Sequence, residues 1–141
     1  MKRTASAVWT GGVRDGKGNI STQSRVLANA KYGFNTRFED GRGTNPEELI
    51  AAAHAGCFTM ALTAQLGEAG MIMESLRTDA AVTLEERDDG FAITAIRLEL
   101  AARIPGADKN TFEAVANKAR ADCPVSRLLN ATITLNTTLE A

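Results

Sequence analysis

Cysteine and histidine are scarce in this 141-residue chain, which has two cysteines, Cys57 and Cys123, and one histidine, His54. Two thiols so far apart form neither a CxxC redox pair nor a zinc knuckle, and one histidine adds too little for a convincing metal site. Neither sign of charge dominates, with 16 Lys and Arg against 17 Asp and Glu. The basic excess that nucleic acid or anionic lipid surfaces demand is missing, so neither is an expected partner. After Met1-Lys2-Arg3, the stretch Thr4 to Arg14 has no apolar run and no processing site, which argues against a signal peptide and makes a cytoplasmic protein the expectation. A structural disulfide is out of place in that reducing compartment. Internal repeats and low-complexity linkers are absent.

What remains is the composition of a soluble globular protein, 44% hydrophobic and 23% charged, at a length that suits a single domain, 1–141. The chain is organised around Thr44 to Gly67, TNPEELIAAAHAGCFTMALTAQLG, which reads as one long helix. Asn45 is the expected N-cap, Pro46 stands at the first helical position where its missing N–H costs nothing, and Glu48 takes the third position of a capping-box-like start. Gly67 is the expected stop. Apolar residues occur on every side, as in a helix buried all round, so Cys57 is expected to be shielded from water. A membrane span is the weaker reading: Leu49 to Leu66 barely reaches the roughly 20 residues needed, and it carries His54, Thr59, Thr63 and Gln65.

Strand signals flank this helix. Thr4 to Thr10 and Asn19 to Leu27 alternate around the turn residues Gly11-Gly12 and Asp15-Gly16-Lys17-Gly18. Tyr32 to Phe38 also alternates, predicting a strand with Phe34, Thr36 and Phe38 on one side and Asn35 and Arg37 on the other. Beyond the helix, Ile72 to Glu86 and Phe91 to Arg103 predict a long hairpin about Asp88-Asp89-Gly90. Asn110 and Glu113 open an amphipathic helix with Phe112, Val115, Ala116 and Ala119 on its apolar face. Pro124 starts a short helix, Val125 to Asn130, and Ala131 to Leu139 is the last strand. The expected class is α+β with mainly antiparallel sheet.

Two readings of the thiols stand at this level: unrelated core cysteines, or a functional pair. Mid-helix, Cys57 gains nothing from the helix dipole, and burial raises its pKa, so a working thiolate needs a cation brought to it. Arg37 is a candidate, and Glu48 is a candidate to hold its guanidinium bidentately. Alternatively, Arg37 is a solvated strand residue and Glu48 a capping carboxylate. Cys123, at or near the N-cap of the short helix, has backbone N–H groups to favour a thiolate. His54, one turn before Cys57, is either a base for it, as in a hydrolase, or a core histidine satisfied by hydrogen bonds.

The segments Tyr32-Gly33-Phe34-Asn35-Thr36-Arg37-Phe38, Gly43-Thr44-Asn45-Pro46-Glu47-Glu48-Leu49-Ile50, Ala52-Ala53-His54-Ala55-Gly56-Cys57-Phe58 and Asp122-Cys123-Pro124-Val125-Ser126 resemble the OsmC branch of the OsmC and organic hydroperoxide resistance family nearly end to end. That resemblance implies a thiol-dependent peroxidase preferring organic hydroperoxides, built as an intertwined homodimer around two long central helices. It implies Cys57 as the reactive cysteine, Cys123 as the resolving cysteine, Arg37 as the thiolate's partner and Glu48 as the residue orienting Arg37, with Glu47 the second choice. Cys57 would pass through a sulfenic acid to a disulfide with Cys123, and an external dithiol would reopen it. No metal or organic cofactor is implied. A non-catalytic stress-related binding protein is the other class left open.

Overall fold

The computed structural model describes residues 1–141, which fall into two compact units, Met1–Leu49 and Ile50–Ala141. The first unit holds strands β1 (Ala5–Thr10), β2 (Lys17–Thr22) and β3 (Ala30–Tyr32), all antiparallel in the order β1-β2-β3. The β1/β2 hairpin turns where the glycines allow it. Strand β2 ends at Thr22 rather than continuing to Leu27. The Leu27 carbonyl accepts the Thr22 N–H at 2.9 Å, and Arg25 and Asn29 take left-handed backbone angles that no strand sustains.

A second departure concerns the predicted strand Tyr32 to Phe38, because Phe34–Phe38 is a short helix, α1. The Thr36 hydroxyl accepts from the Gly33 N–H at 2.8 Å and donates to the Gly33 carbonyl at 3.0 Å, closing the first turn. Phe34 and Phe38 stack one turn apart, with ring centroids separated by 4.9 Å. Five residues with apolar ends fit either period, and the local hydroxyl bonds decide for the helix.

The long helix α2 (Pro46–Glu68, 23 residues) begins in the first unit and continues in the second. Its start is as expected: Asn45 Oδ1 accepts the Glu48 N–H at 2.7 Å. Gly67 lies inside the helix, and the stop is Gly70, at φ +75°. The Gly70 N–H donates to the Gly67 carbonyl and the Met71 N–H to the Leu66 carbonyl, the Schellman pattern that needs a left-handed residue.

In the second unit, β4 (Ser75–Arg87) and β5 (Gly90–Arg103) form the expected antiparallel hairpin, with a register shift between Thr83 and Leu84. Strand β6 (Thr132–Glu140) pairs parallel to β5, so this sheet, ordered β4-β5-β6, is mixed. Helix α3 (Lys109–Asp122) is N-capped by Asp108, which accepts the Thr111 N–H at 2.9 Å, rather than opened by Asn110. Helix α4 (Pro124–Leu128) follows at once, with Cys123 as both the C-cap of α3 and the N-cap of α4. The crossover through α3 and α4 supplies the length that a parallel β5/β6 pair requires.

The core of this unit is Phe58, Leu62 and Leu66 from α2, Ile96, Leu98 and Leu100 from β5, and Phe112, Ala116 and Ala119 from α3. Each large aliphatic or aromatic side chain buried here contributes about 1.5–3 kcal/mol. Helix α2 is not buried all round within the chain: only His54, Phe58, Leu62 and Leu66, one stripe at four-residue spacing, are buried. Another stripe, including Ala52, Gly56, Met60, Thr63 and Gly67, is exposed. By length and composition alone α2 would also pass for a membrane span.

Candidate functional site

Helix α2 places Cys57 one turn after His54 and one residue before the core residue Phe58, so the thiol is half-buried beside the apolar core. Cys123 is fully buried at the junction of α3 and α4, where Pro124 forces a break in the helix. Both cysteines are free thiols, and Cys123 Sγ donates to Cys57 Sγ at 3.0 Å. Cys123 stands at the N-cap of α4, the position expected of it. Its side chain makes no capping bond, because the sulfur points to Cys57 instead.

Burial pushes the Cys57 pKa up, the hydrogen bond and charge of Cys123 push it further the same way, and the Val125 backbone N–H works against them.

His54 is fully buried, with Nε2 hydrogen-bonded to Ser126 Oγ at 2.7 Å, and burial lowers its pKa so that the ring is neutral. Its Nδ1 is buried without a hydrogen-bond partner. The imidazole is thus engaged by Ser126 rather than by Cys57, which disfavours the hydrolase arrangement of a Cys57–His54 pair. Ser126 stands in the DCPVS segment without any residue-type signal for this role; only the spatial pairing of α2 with α4 identifies it.

In the first unit, the guanidinium of Arg37, in the last turn of α1, is held by Glu47. Nε donates to Oε1 at 3.1 Å and to Oε2 at 3.2 Å, and Nη2 donates to Oε1 at 2.7 Å. Glu48 is not its partner. The Glu48 carboxylate accepts from Thr44 Oγ1 at 2.8 Å, while its backbone N–H serves the Asn45 cap. Adjacent residues on a helix project about 100° apart, so only one of two neighbouring glutamates can face α1. Asn45 fixes that facing, since its Nδ2 donates to the Thr36 carbonyl of α1 at 3.0 Å while its Oδ1 caps α2. The Arg37 guanidinium also lies 5.3 Å from the centroid of the Phe38 ring. Trp9, Tyr32, Phe34, Arg37 and Phe38 line an apolar slot of about 180 Å³.

The family model described as OsmC-like protein matches residues 39–138. The peroxiredoxin OsmC of Escherichia coli is 52% identical over 141 residues, which is 100% of this chain and 99% of that protein. The organic hydroperoxide resistance protein of Xanthomonas axonopodis pv. citri is 31% identical over 137 residues, or 96% of this chain and 93% of that protein. Among solved structures, the organic hydroperoxide resistance protein OhrB of Bacillus subtilis aligns with a TM-score of 0.70 at 25% identity, covering 96% of this chain and 98% of that one.

Proposed function

Because this chain belongs to the OsmC-like protein family, we propose that it is a thiol-dependent peroxidase reducing organic hydroperoxides, and hydrogen peroxide more weakly, in oxidative and osmotic stress defence. The observation that carries this reading is the 3.0 Å approach of the Cys57 and Cys123 sulfurs. Two core thiols without a shared role have no reason to meet sulfur to sulfur at the end of a proline-broken helix.

In the proposed cycle the Cys57 thiolate attacks the distal peroxide oxygen. The O–O bond breaks, the alkoxide leaves as an alcohol after taking a proton, and Cys57 becomes a sulfenic acid. Cys123 then displaces the sulfenic hydroxyl as water, forming the Cys57–Cys123 disulfide. An external dithiol reopens that bond by exchange, so a reductant partner completes turnover. Cys57 is assigned as nucleophile because it is the more exposed of the two thiols, whereas Cys123 is sealed beneath it.

Arg37 is proposed as the cation that favours the Cys57 thiolate, with Glu47 in the orienting role expected for Glu48. The support is the bidentate hold of Glu47 on the guanidinium, which fixes its direction, together with the resemblance of the segment Tyr32 to Phe38 to that family. The apolar slot with Arg37 in its wall supports a preference for peroxides with a hydrocarbon body.

We also read residues 1–141 as one functional domain, since a full-length relative matches all of them. The protein is proposed to work in the cytoplasm as a homodimer. The uncovered stripe of small and apolar residues on α2, in which Met60 is 77% exposed, is the support for a second copy. A peroxide-loss assay with and without a dithiol, run on the reduced protein, tests the function: sustained consumption must require the dithiol.

A further inference from the structure

We propose that His54 and Ser126 form a clamp that positions Cys123 for closure onto oxidised Cys57. The inference rests on the assignment of Cys57 and Cys123 as reactive and resolving cysteines. It adds a role for two residues that touch neither peroxide nor reductant.

The geometry is that of two parallel rungs between α2 and α4. On α2, His54 stands three positions before Cys57, and on α4, Ser126 stands three positions after Cys123. Residues three apart on a helix are neighbours, so each clamp residue lies one turn from its cysteine. One rung is the 3.0 Å sulfur contact and the other is the 2.7 Å His54–Ser126 hydrogen bond. Helix α4 has only five residues, and its N-cap lacks a side-chain bond, so it has little means of holding itself in place. Val125 and Leu129 pack against the core, but apolar contact is non-directional and tolerates sliding, and the bond from the Val125 N–H ends on the Cys57 sulfur, the atom that changes during the reaction. The buried His54–Ser126 bond is directional, and it defines both rotation and depth of α4 against α2.

The arrangement also accounts for the imidazole. His54 is fully buried, its Nδ1 has no partner, and the peroxidase cycle uses neither nitrogen. An apolar side chain would fill the same place without leaving a polar atom unpaired. A histidine retained only for its Nε2 bond to Ser126 is a positioning residue.

Closure forms a bond between Cys123 Sγ and Cys57 Sγ and breaks the S–O bond of the sulfenic acid. The hydroxyl departs as water with the Cys123 thiol proton, and both sulfurs end at the disulfide level without a further oxidant. From 3.0 Å the sulfurs must close to about 2.05 Å, a movement available without rearrangement only while α4 is held. If α4 is loosened, the sulfenic acid outlives the closure step and can be intercepted.

The test is a single turnover of the reduced full-length protein with one equivalent of cumene hydroperoxide in the presence of dimedone. Intact-mass analysis reads the ratio of dimedone-adducted Cys57 to Cys57–Cys123 disulfide. Because it is a partition of one intermediate, the ratio is insensitive to the rate of the peroxide step. Ser126→Ala and His54→Leu are each expected to raise it roughly tenfold. The double variant should be no worse than the stronger single one, and Ser126→Thr, which keeps the hydroxyl, should return towards the original ratio. An unchanged ratio in Ser126→Ala, additive single effects, or failure of Ser126→Thr to recover would overturn the clamp. If the unsubstituted protein itself consumes no peroxide or forms no disulfide, the peroxidase reading fails, and the clamp with it.

Discussion

Cys123 Sγ donates to Cys57 Sγ at 3.0 Å although the two residues lie 66 positions apart, on α2 and at the head of α4. Cys123 is inaccessible and Cys57 is half-buried, so the pair has an outer and an inner member with different prospects of meeting a peroxide.

From that asymmetry follows the behaviour of Cys123→Ser. It should consume one equivalent of hydroperoxide and stop, leaving Cys57 as a sulfenic acid that dimedone traps. Mass spectrometry of the quenched protein checks this. Loss of the first equivalent as well would mean that the two thiols share the attack.

The rate of peroxide consumption should rise with pH. Burial and the Cys123 thiol raise the Cys57 pKa, so at neutral pH most Cys57 is protonated, and the reactive thiolate grows as pH climbs towards the raised value. Initial rates across a pH series from 6 to 10 at saturating dithiol, or alkylation of Cys57 over roughly the same range, give the profile. A rate that falls over that range would show that the thiolate is not the attacking species.

Arg37→Ala should move the same profile to higher pH and lower the neutral-pH peroxide rate by roughly tenfold, the equivalent of about one pKa unit. Glu47→Gln should shift it in the same direction by less, because a neutral amide retains one acceptor oxygen but loses the bidentate hold. Glu48→Gln should leave it in place, since Glu48 receives a hydrogen bond from Thr44 instead. Identical profiles for Arg37→Ala and the unsubstituted protein would remove Arg37 from the activating role.

The features readable along the chain are those settled within a few residues. Asn45 with Pro46 marks the start of α2, and Asp88-Asp89-Gly90 marks the β4/β5 turn, because caps and tight turns are local chemistry. Phe34–Phe38 misled because five residues cannot separate a period of two from a period of four, and the deciding bonds come from Thr36 to Gly33. The end of α2 lies at Gly70 rather than Gly67 because periodicity tolerates a glycine inside a helix and the stop depends on backbone angle. The parallel β5/β6 pairing is a long-range choice of neighbour that alternation in β6 does not encode.

Residue types alone left Cys57 and Cys123 open between core thiols and a functional pair, and Arg37 open between a solvated residue and a thiolate's counter-ion; the resemblance supplied the roles proposed for them. The choice between Glu47 and Glu48 required the direction in which α1 presents Arg37, and the partnership of His54 with Ser126 required the docking of α4. Both are tertiary facts.

The most direct measurement is hydroperoxide loss by Cys57→Ser beside the unsubstituted protein, each reduced beforehand and assayed with and without an external dithiol. The unsubstituted protein should consume about one equivalent without dithiol and turn over continuously with it. Cys57→Ser should consume none under either condition, because a serine hydroxyl ionises far too weakly to replace the thiolate. Peroxide consumption by Cys57→Ser at an undiminished rate would contradict the account.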